Sequence, residues 1–206
     1  MVKLRLVQNA TIILFFLSIA RGGMFMINKH KLSIRDLCRI AFFTAFIAVC
    51  AQVAVPLGPV PQTLQTWGIM LAGILLGAKH GTIAVIVYVL LGAAGAPVFA
   101  AFGGGIGHIA GPSGGFILSF PIMAALVGFS AKKDSTIWLF CGVIAALAIN
   151  FAAGMLYFAA VTQNSLSASF IAAVLPFLPN AAVQLVVLSV MGKRIRALGE
   201  MLSTRT

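Results

Sequence analysis

Residues 67–96 read "WGIMLAGILLGAKHGTIAVIVYVLLGAAGA". Without Lys79 and His80 this run would pass for one long membrane helix. A lysine in the middle of hydrocarbon is expensive, whereas at a membrane face it is ordinary. The chain is therefore expected to turn at Lys79, leaving two short spans, 67–78 and 82–96, on either side of it.

The rest of the sequence supports reading these runs as membrane segments. Of 206 residues, 61% are hydrophobic and 8% are charged, with a mean hydropathy of +1.10. Soluble domains carry about 25% charged residues. An all-α, multi-pass membrane protein in a lipid bilayer is the class these numbers define. Fourteen Lys and Arg against three acids give a formal net charge of +11. The basic residues lie in short clusters between apolar runs, with no continuous basic face and no reading motif, which excludes nucleic acid as a partner.

Those clusters set the topology. Further apolar runs cover about 37–57, 115–129, 137–160 and 170–192, and basic residues follow or precede them at 29–39, 79, 132–133 and 193–196. Six spans with both ends of the bundle in the cytoplasm put every cluster inside, as the positive-inside rule requires. The outer connections are then 58–65, 95–114 and 162–169, where His108 is the only titratable side chain. Spans two, three and four are shorter than the 17–25 residues a crossing helix usually needs, and such short or broken helices often mark a transporter's substrate site. The expected architecture is a six-transmembrane-helix bundle over residues 29–197 with an outward-facing substrate cavity and a cytoplasmic tail at 198–206. Residues 1–28 carry a further apolar stretch, read as an extraneous or poorly ordered leader, with an extra apolar segment as the alternative.

Three uncharged patches sit on the outer side. "GPVPQTLQTWG" (58–68) frames Gln62, Thr63, Gln65 and Thr66 between prolines and Trp67. Proline fixes its own φ and extends the residue before it, so the segment reads as a rigid recognition wall or as a plain interfacial loop. Residues 91–116 hold nine glycines between Gly92 and Gly115 but lack the Lys–Ser/Thr ending of a phosphate loop. The triple glycine 103–105 is expected to build a tight lid or cavity wall. His108 is open to packing, to a hydrogen bond with ligand, or to acting as a partial countercharge. In "PFLPNAAVQL" (176–185), Asn180 and Gln184 share a helix face, and Asn150 lies inside the fifth run. Buried amides need partners, so these three serve either helix packing or substrate.

No catalytic arrangement is visible. The acids Asp36, Asp134 and Glu200 all map to the basic side, and an enzyme would need a nucleophile and base, or a metal centre, aimed at one cavity. The histidines suggest no metal set. Cys38, Cys50 and Cys141 have no ligand spacing and are expected to be buried small hydrophobes.

The segments "PLGPVPQTLQTWGIMLAGILLGAKHG", "VYVLLGAAGAPVFAAFGGG", "GPSGGF" and "PFLP" resemble the BioY family, the membrane-embedded substrate-capture subunits, or S components, of energy-coupling factor vitamin transporters. The resemblance covers about 31–197. It implies a six-helix bundle that captures biotin near the external face and is not an enzyme. It also implies a transmembrane coupling subunit and two cytoplasmic ATPases as partners; those ATPases, not this chain, would use ATP. Ala41 and Ala45 resemble the small-residue motif that docks on the coupling subunit. The expected substrate-binding residues are Gln62, Thr63, Gln65, Trp67, Phe99, Gly107, His108, Phe116, Asn150, Asn180 and Gln184.

The chain departs from the pattern in two places. The Gly-Asp and following Lys that BioY-like chains place after "PF-x-P" are here Asn180, Ala181 and Gln184, and the Tyr of "GGY" is Phe116. A carboxylate would lose its lysine, so the alternatives are lipoate or another small apolar carboxylic acid within the same transport class. A second alternative is a structural or assembly membrane protein whose glycines only pack helices.

Overall fold

Residues 33–56, 58–133 and 135–204 are described by the structure, a computed structural model. The chain divides into Met1–Leu37 and Cys38–Thr206. Among the described residues, the second unit holds everything beyond the first turn of the opening helix. The expectation for residues 1–28 lies outside the described residues.

In chain order the elements are helix α1 (Ile34–Gln52), strands β1 (Ala54–Val55) and β2 (Gln62–Thr63), and helix α2 (Gln65–Ala93). After them come a 3-10 turn (Ala100–Phe102) and helices α3 (Ile106–Ala110), α4 (Gly114–Lys132), α5 (Thr136–Thr162) and α6 (Leu166–Ala173). A second 3-10 turn (Leu175–Phe177) leads into α7 (Leu178–Thr204). Gln65–Ala93, Gly114–Lys132, Thr136–Thr162 and Leu166–Gly192 are each long and apolar enough to cross a membrane.

The run at 67–96 turns at Gly77, whose φ of 75° and ψ of 174° are not helical. That backbone region is essentially reserved for glycine. The two halves of α2 then fold back on one another. Gln65 hydrogen-bonds Tyr88, although in a continuous helix those residues would stand about 35 Å apart. Gly81 lies against Ala72 and Gly73 for the same reason. The turn falls two residues before Lys79, as the charge implied.

Close backbone approach joins the helices. A Cβ on Gly73 would stand 2.6 Å from the Ala124 carbonyl oxygen, and one on Gly128 would stand 2.7 Å from the Gly77 carbonyl carbon. Helix α4 can therefore pack along both α2 and α5, the most extensive pairings in the bundle. Helix α1 meets α2 through Thr44, which donates to the Ala84 carbonyl at 3.0 Å, and through Ile47 against Gly68. Ile69, Met70, Tyr88, Met123, Val143, Phe158 and Leu188 fill the interior, while Phe42, Leu90, Leu118, Phe129, Trp138 and Val186 face outward. An apolar exterior of this extent fits hydrocarbon as the solvent, where close packing of small residues rather than burial from water holds helices together.

Several expectations need correction. Helix α4 has 19 residues and is not a short span. Helix α1 stops at Gln52, and the next residues form a two-stranded hairpin with Ala54 opposite Thr63 and Val55 opposite Gln62. Strands of two residues each leave the described chain mostly helical, as expected. The prolines at 176 and 179 interrupt the last run, as their residue type implies, dividing it into α6, the 3-10 turn and α7, because proline removes helical donors. Cys38 and Cys141 are exposed and Cys50 is only partly buried; a small apolar side chain is equally at ease on a lipid-facing surface.

Candidate functional site

Three breaks in helical structure converge on one cleft. The β1–β2 hairpin delivers Val60, Pro61 and Thr63 to its rim, and the start of α2 adds Gln65 and Thr66. The stretch 99–108 contributes Phe99, Ala100 and His108. Ser113, Phe116, Ile117 and Phe120 come from α4 and its N-cap, and Leu147, Asn150 and Phe151 from mid-α5. Phe177, Asn180, Ala181 and Gln184 complete the lining from the proline-bent entry to α7. About 620 Å³ of non-atom space lies within the cleft and its mouth, part of it open solvent.

Its polar groups are held by named bonds. Thr63 donates to Gln65 Oε1 at 2.8 Å, and Gln65 passes its amide to Tyr88, which donates to the Val98 carbonyl at 2.9 Å. Gln184 Nε2 donates to Thr66 Oγ1 at 2.6 Å. Asn150 Nδ2 donates to the Phe116 carbonyl at 3.1 Å and to Ser119 Oγ at 2.7 Å. Asn150 and Gln184 are each 1% exposed, so these bonds fix the amides that shape the floor. The apolar wall is aromatic: Phe116 stacks on Phe177 with centroids 5.7 Å apart, and Phe99 stacks on His108 at 5.3 Å. No Lys, Arg, Asp or Glu among the described residues lines the cleft.

Of the expected residues, Thr63, Gln65, Phe99, His108, Phe116, Asn150, Asn180 and Gln184 are brought together in this cleft. Gln62, Trp67 and Gly107 are not. Gln62 pairs with Val55 in the hairpin. Trp67 lies against the core and donates through Nε1 to Asn180 Oδ1 at 3.1 Å. A Cβ at Gly107 would meet nothing within 4 Å. The triple glycine also stays out of the cleft: Gly104 lies against the Ala96 carbonyl and Gly105 N–H donates to Gly92 O at 2.6 Å, so it folds its own loop.

Sequence reasoning missed Phe120, Phe151 and Phe177 on the wall and Gln52 behind it. Gln52 Nε2 donates to the Phe99 carbonyl at 3.1 Å and its Oε1 accepts from Phe102 N–H at 2.9 Å. It thereby holds a turn in which Ala101 and Phe102 both have positive φ, a conformation costing roughly 1 kcal/mol or more per residue. A lone amide ending an apolar helix, and Phe116 and Phe120 spaced four apart, were the available signals.

A bundle of membrane helices carrying one uncharged, aromatic-walled receptacle defines a multi-pass membrane protein built to hold a small molecule. The family model described as "BioY family" matches residues 26–200, and the chain belongs to that family. It is 39% identical over 168 residues to a biotin transporter BioY from Thermotoga maritima, covering 80% of this chain and 97% of that one. It is 35% identical over 162 residues to a probable biotin transporter BioY from Pyrococcus horikoshii, covering 79% and 96%. A crystal structure described as the S-component for biotin from an ECF-type ABC transporter superposes with a TM-score of 0.72 at 32% identity, covering 83% of this chain and 95% of the other.

Proposed function

We propose that the protein is the substrate-capture component of an energy-coupling factor transporter and that biotin is its substrate. The observation that carries this is the cleft itself, an uncharged receptacle formed where the helix breaks converge, in a chain whose fold matches a biotin S-component at 32% identity. Six crossings follow if the folded-back halves of α2 each span the bilayer beside α1, α4, α5 and the bent segment of α6 and α7. In this arrangement the cleft opens outward, because it occupies the ends of α2 and α4 opposite Lys79, Lys132 and Lys133, and basic clusters face the cytoplasm. Both termini of the bundle are then cytoplasmic.

Biotin is held while the bundle faces outward and is released when partner subunits reorient it. A transmembrane coupling subunit and two ATPases supply the energy, with ATP bound by the ATPases. Ala41 and Ala45 are exposed on α1, one turn apart and in line with exposed Val49, a narrow stripe suited to close helix approach. Leucine at both positions should reduce co-purification with the coupling subunit and spare biotin binding; equal loss of both would reject the docking role.

The direct test of function is equilibrium titration of the purified protein with biotin and lipoate. Saturable binding of biotin at or below micromolar concentration is expected. Lipoate saturation without biotin binding would replace the substrate, and saturation by neither would remove the transport reading.

A further inference from the structure

The basic end of the bundle carries a groove that the substrate cleft does not use. Gly128 presses on the backbone of the Gly77 reversal, and beside that contact the surface opens between α2 and α4. Leu75, Leu76 and Phe129 line it with apolar surface, and Phe129 is 67% exposed. Lys79 and Lys132 line it as well, and both are exposed. No Asp or Glu among the described residues does so. The second half of α2 begins at the Gly77 break, so the positive end of its dipole adds to the two ammonium charges.

Thr82 also lines the groove. A helical threonine can bond the carbonyl one turn before it, but Thr82 Oγ1 is shut off from solvent with no hydrogen-bond partner among the described residues. It marks an unmet polar group beneath the lysines rather than a first contact. The level of the groove is set by its neighbours. Lys133 packs on the Trp138 ring at this same end, and tryptophan and lysine together suit the membrane–water boundary. Cations at that boundary above an apolar flank match a phospholipid, whose phosphate and acyl chain meet at the same depth.

We propose that this groove binds an anionic phospholipid of the leaflet that the basic end faces. Lys79 and Lys132 take its phosphate, while Phe129, Leu75 and Leu76 carry the upper part of an acyl chain. Bound there, the lipid ties the α2 reversal to the end of α4. The proposal rests on the chain crossing a membrane and not on which substrate the cleft holds.

Native mass spectrometry of the delipidated protein, titrated with phosphatidylglycerol and with phosphatidylcholine of the same acyl chains, tests this. A lysine near the surface is worth about fivefold toward an anionic lipid, so phosphatidylglycerol is expected to bind about tenfold or more tighter. Lys79→Gln with Lys132→Gln should bring the two lipids within about twofold, and arginine at both positions should keep the preference. Lys133→Gln with Arg194→Gln removes the same charge outside the groove and should also keep it. Equal binding of the two lipids by the wild type would overturn the proposal. So would a preference that survives in the Lys79 and Lys132 glutamine variant, or one that falls as far in the Lys133 and Arg194 variant. Displacement of phosphatidylglycerol by millimolar inorganic phosphate would assign the groove to a soluble anion and overturn the lipid as occupant. Biotin affinity should not change in the Lys79 and Lys132 glutamine variant. A wild-type protein that kept the lipid preference but bound no biotin would remove the functional reading and leave this one standing.

Discussion

The two ends of α4 solve opposite problems. At residues 113–120 the helix borders a cleft without a charged lining residue among those described, where amides and hydroxyls bond one another and leave a cavity between them. At 125–132 it borders the Gly77 reversal and ends in Lys132 and Lys133, and its backbone presses against the turn through Gly128. One end keeps space open with directed hydrogen bonds; the other eliminates space by omitting side chains. The difference separates what the protein needs in order to fold from what it needs in order to bind. Substitutions at the reversal should act on stability first, and substitutions at the cleft on both stability and ligand.

The largest effect belongs to Gly128→Leu. A Cβ there would stand 2.5 Å from Ala78 Cα and 2.7 Å from the Gly77 carbonyl carbon, and backbone on both sides leaves no flexible group to yield. Overpacking of this kind typically costs about 1–3 kcal/mol and more when main chain must move. The variant is expected to give little folded monomer on size-exclusion chromatography in detergent, and a wild-type elution profile would show that the α2–α4 contact is not rigid.

Asn150→Ala comes next. It removes two buried hydrogen bonds and opens a void, a combined loss of about 3 kcal/mol. A clear fall in thermal midpoint in detergent and weaker biotin binding should appear together. Retention of full affinity would separate Asn150 from the ligand and leave it a packing residue only.

Gly77→Ala isolates the backbone. A Cβ there meets nothing within 4 Å, so the variant bears only the strain of its dihedral angles, about 1–3 kcal/mol. A lower thermal midpoint with unchanged biotin affinity is expected. Loss of affinity alone would mean that the reversal communicates with the cleft, and the division between the two ends would fail.

The same division explains what could be read from sequence. Charges are costly in lipid wherever they occur, so Lys79 marked the α2 reversal without any knowledge of packing. The cleft was legible in its polar members for a related reason: Gln65, Asn150 and Gln184 are conspicuous in apolar surroundings. Its aromatic wall was not, because Phe120, Phe151 and Phe177 look like any other apolar residues until the helices are placed. Trp67 stands beside the polar members in sequence but does not line the cleft, and its N–H serves Asn180, which does. The triple glycine misled for a similar reason. Permissive backbone fits a ligand approach or a self-packed loop equally well, and only three-dimensional contacts such as Gly104 against Ala96 decide between them.

The smallest expected effect lies just past the basic end of α4, where Lys133 Nζ sits 3.4 Å from the centroid of the Trp138 ring. Both side chains are exposed, and a cation–π contact in such a setting is worth about 0.5–1 kcal/mol. The pair bridges the turn between α4 and α5, a position where tryptophan and lysine also suit the membrane–water boundary. Lys133→Ala should therefore lower the thermal midpoint slightly and leave biotin affinity untouched, and Lys133→Arg should restore stability because a guanidinium stacks on indole at least as well. A loss of about 2 kcal/mol or more on alanine substitution would exceed what an exposed pair can supply. The turn would then belong to the rigid framework that Gly73 and Gly128 form, and the framework would reach from the Gly77 reversal across to α5.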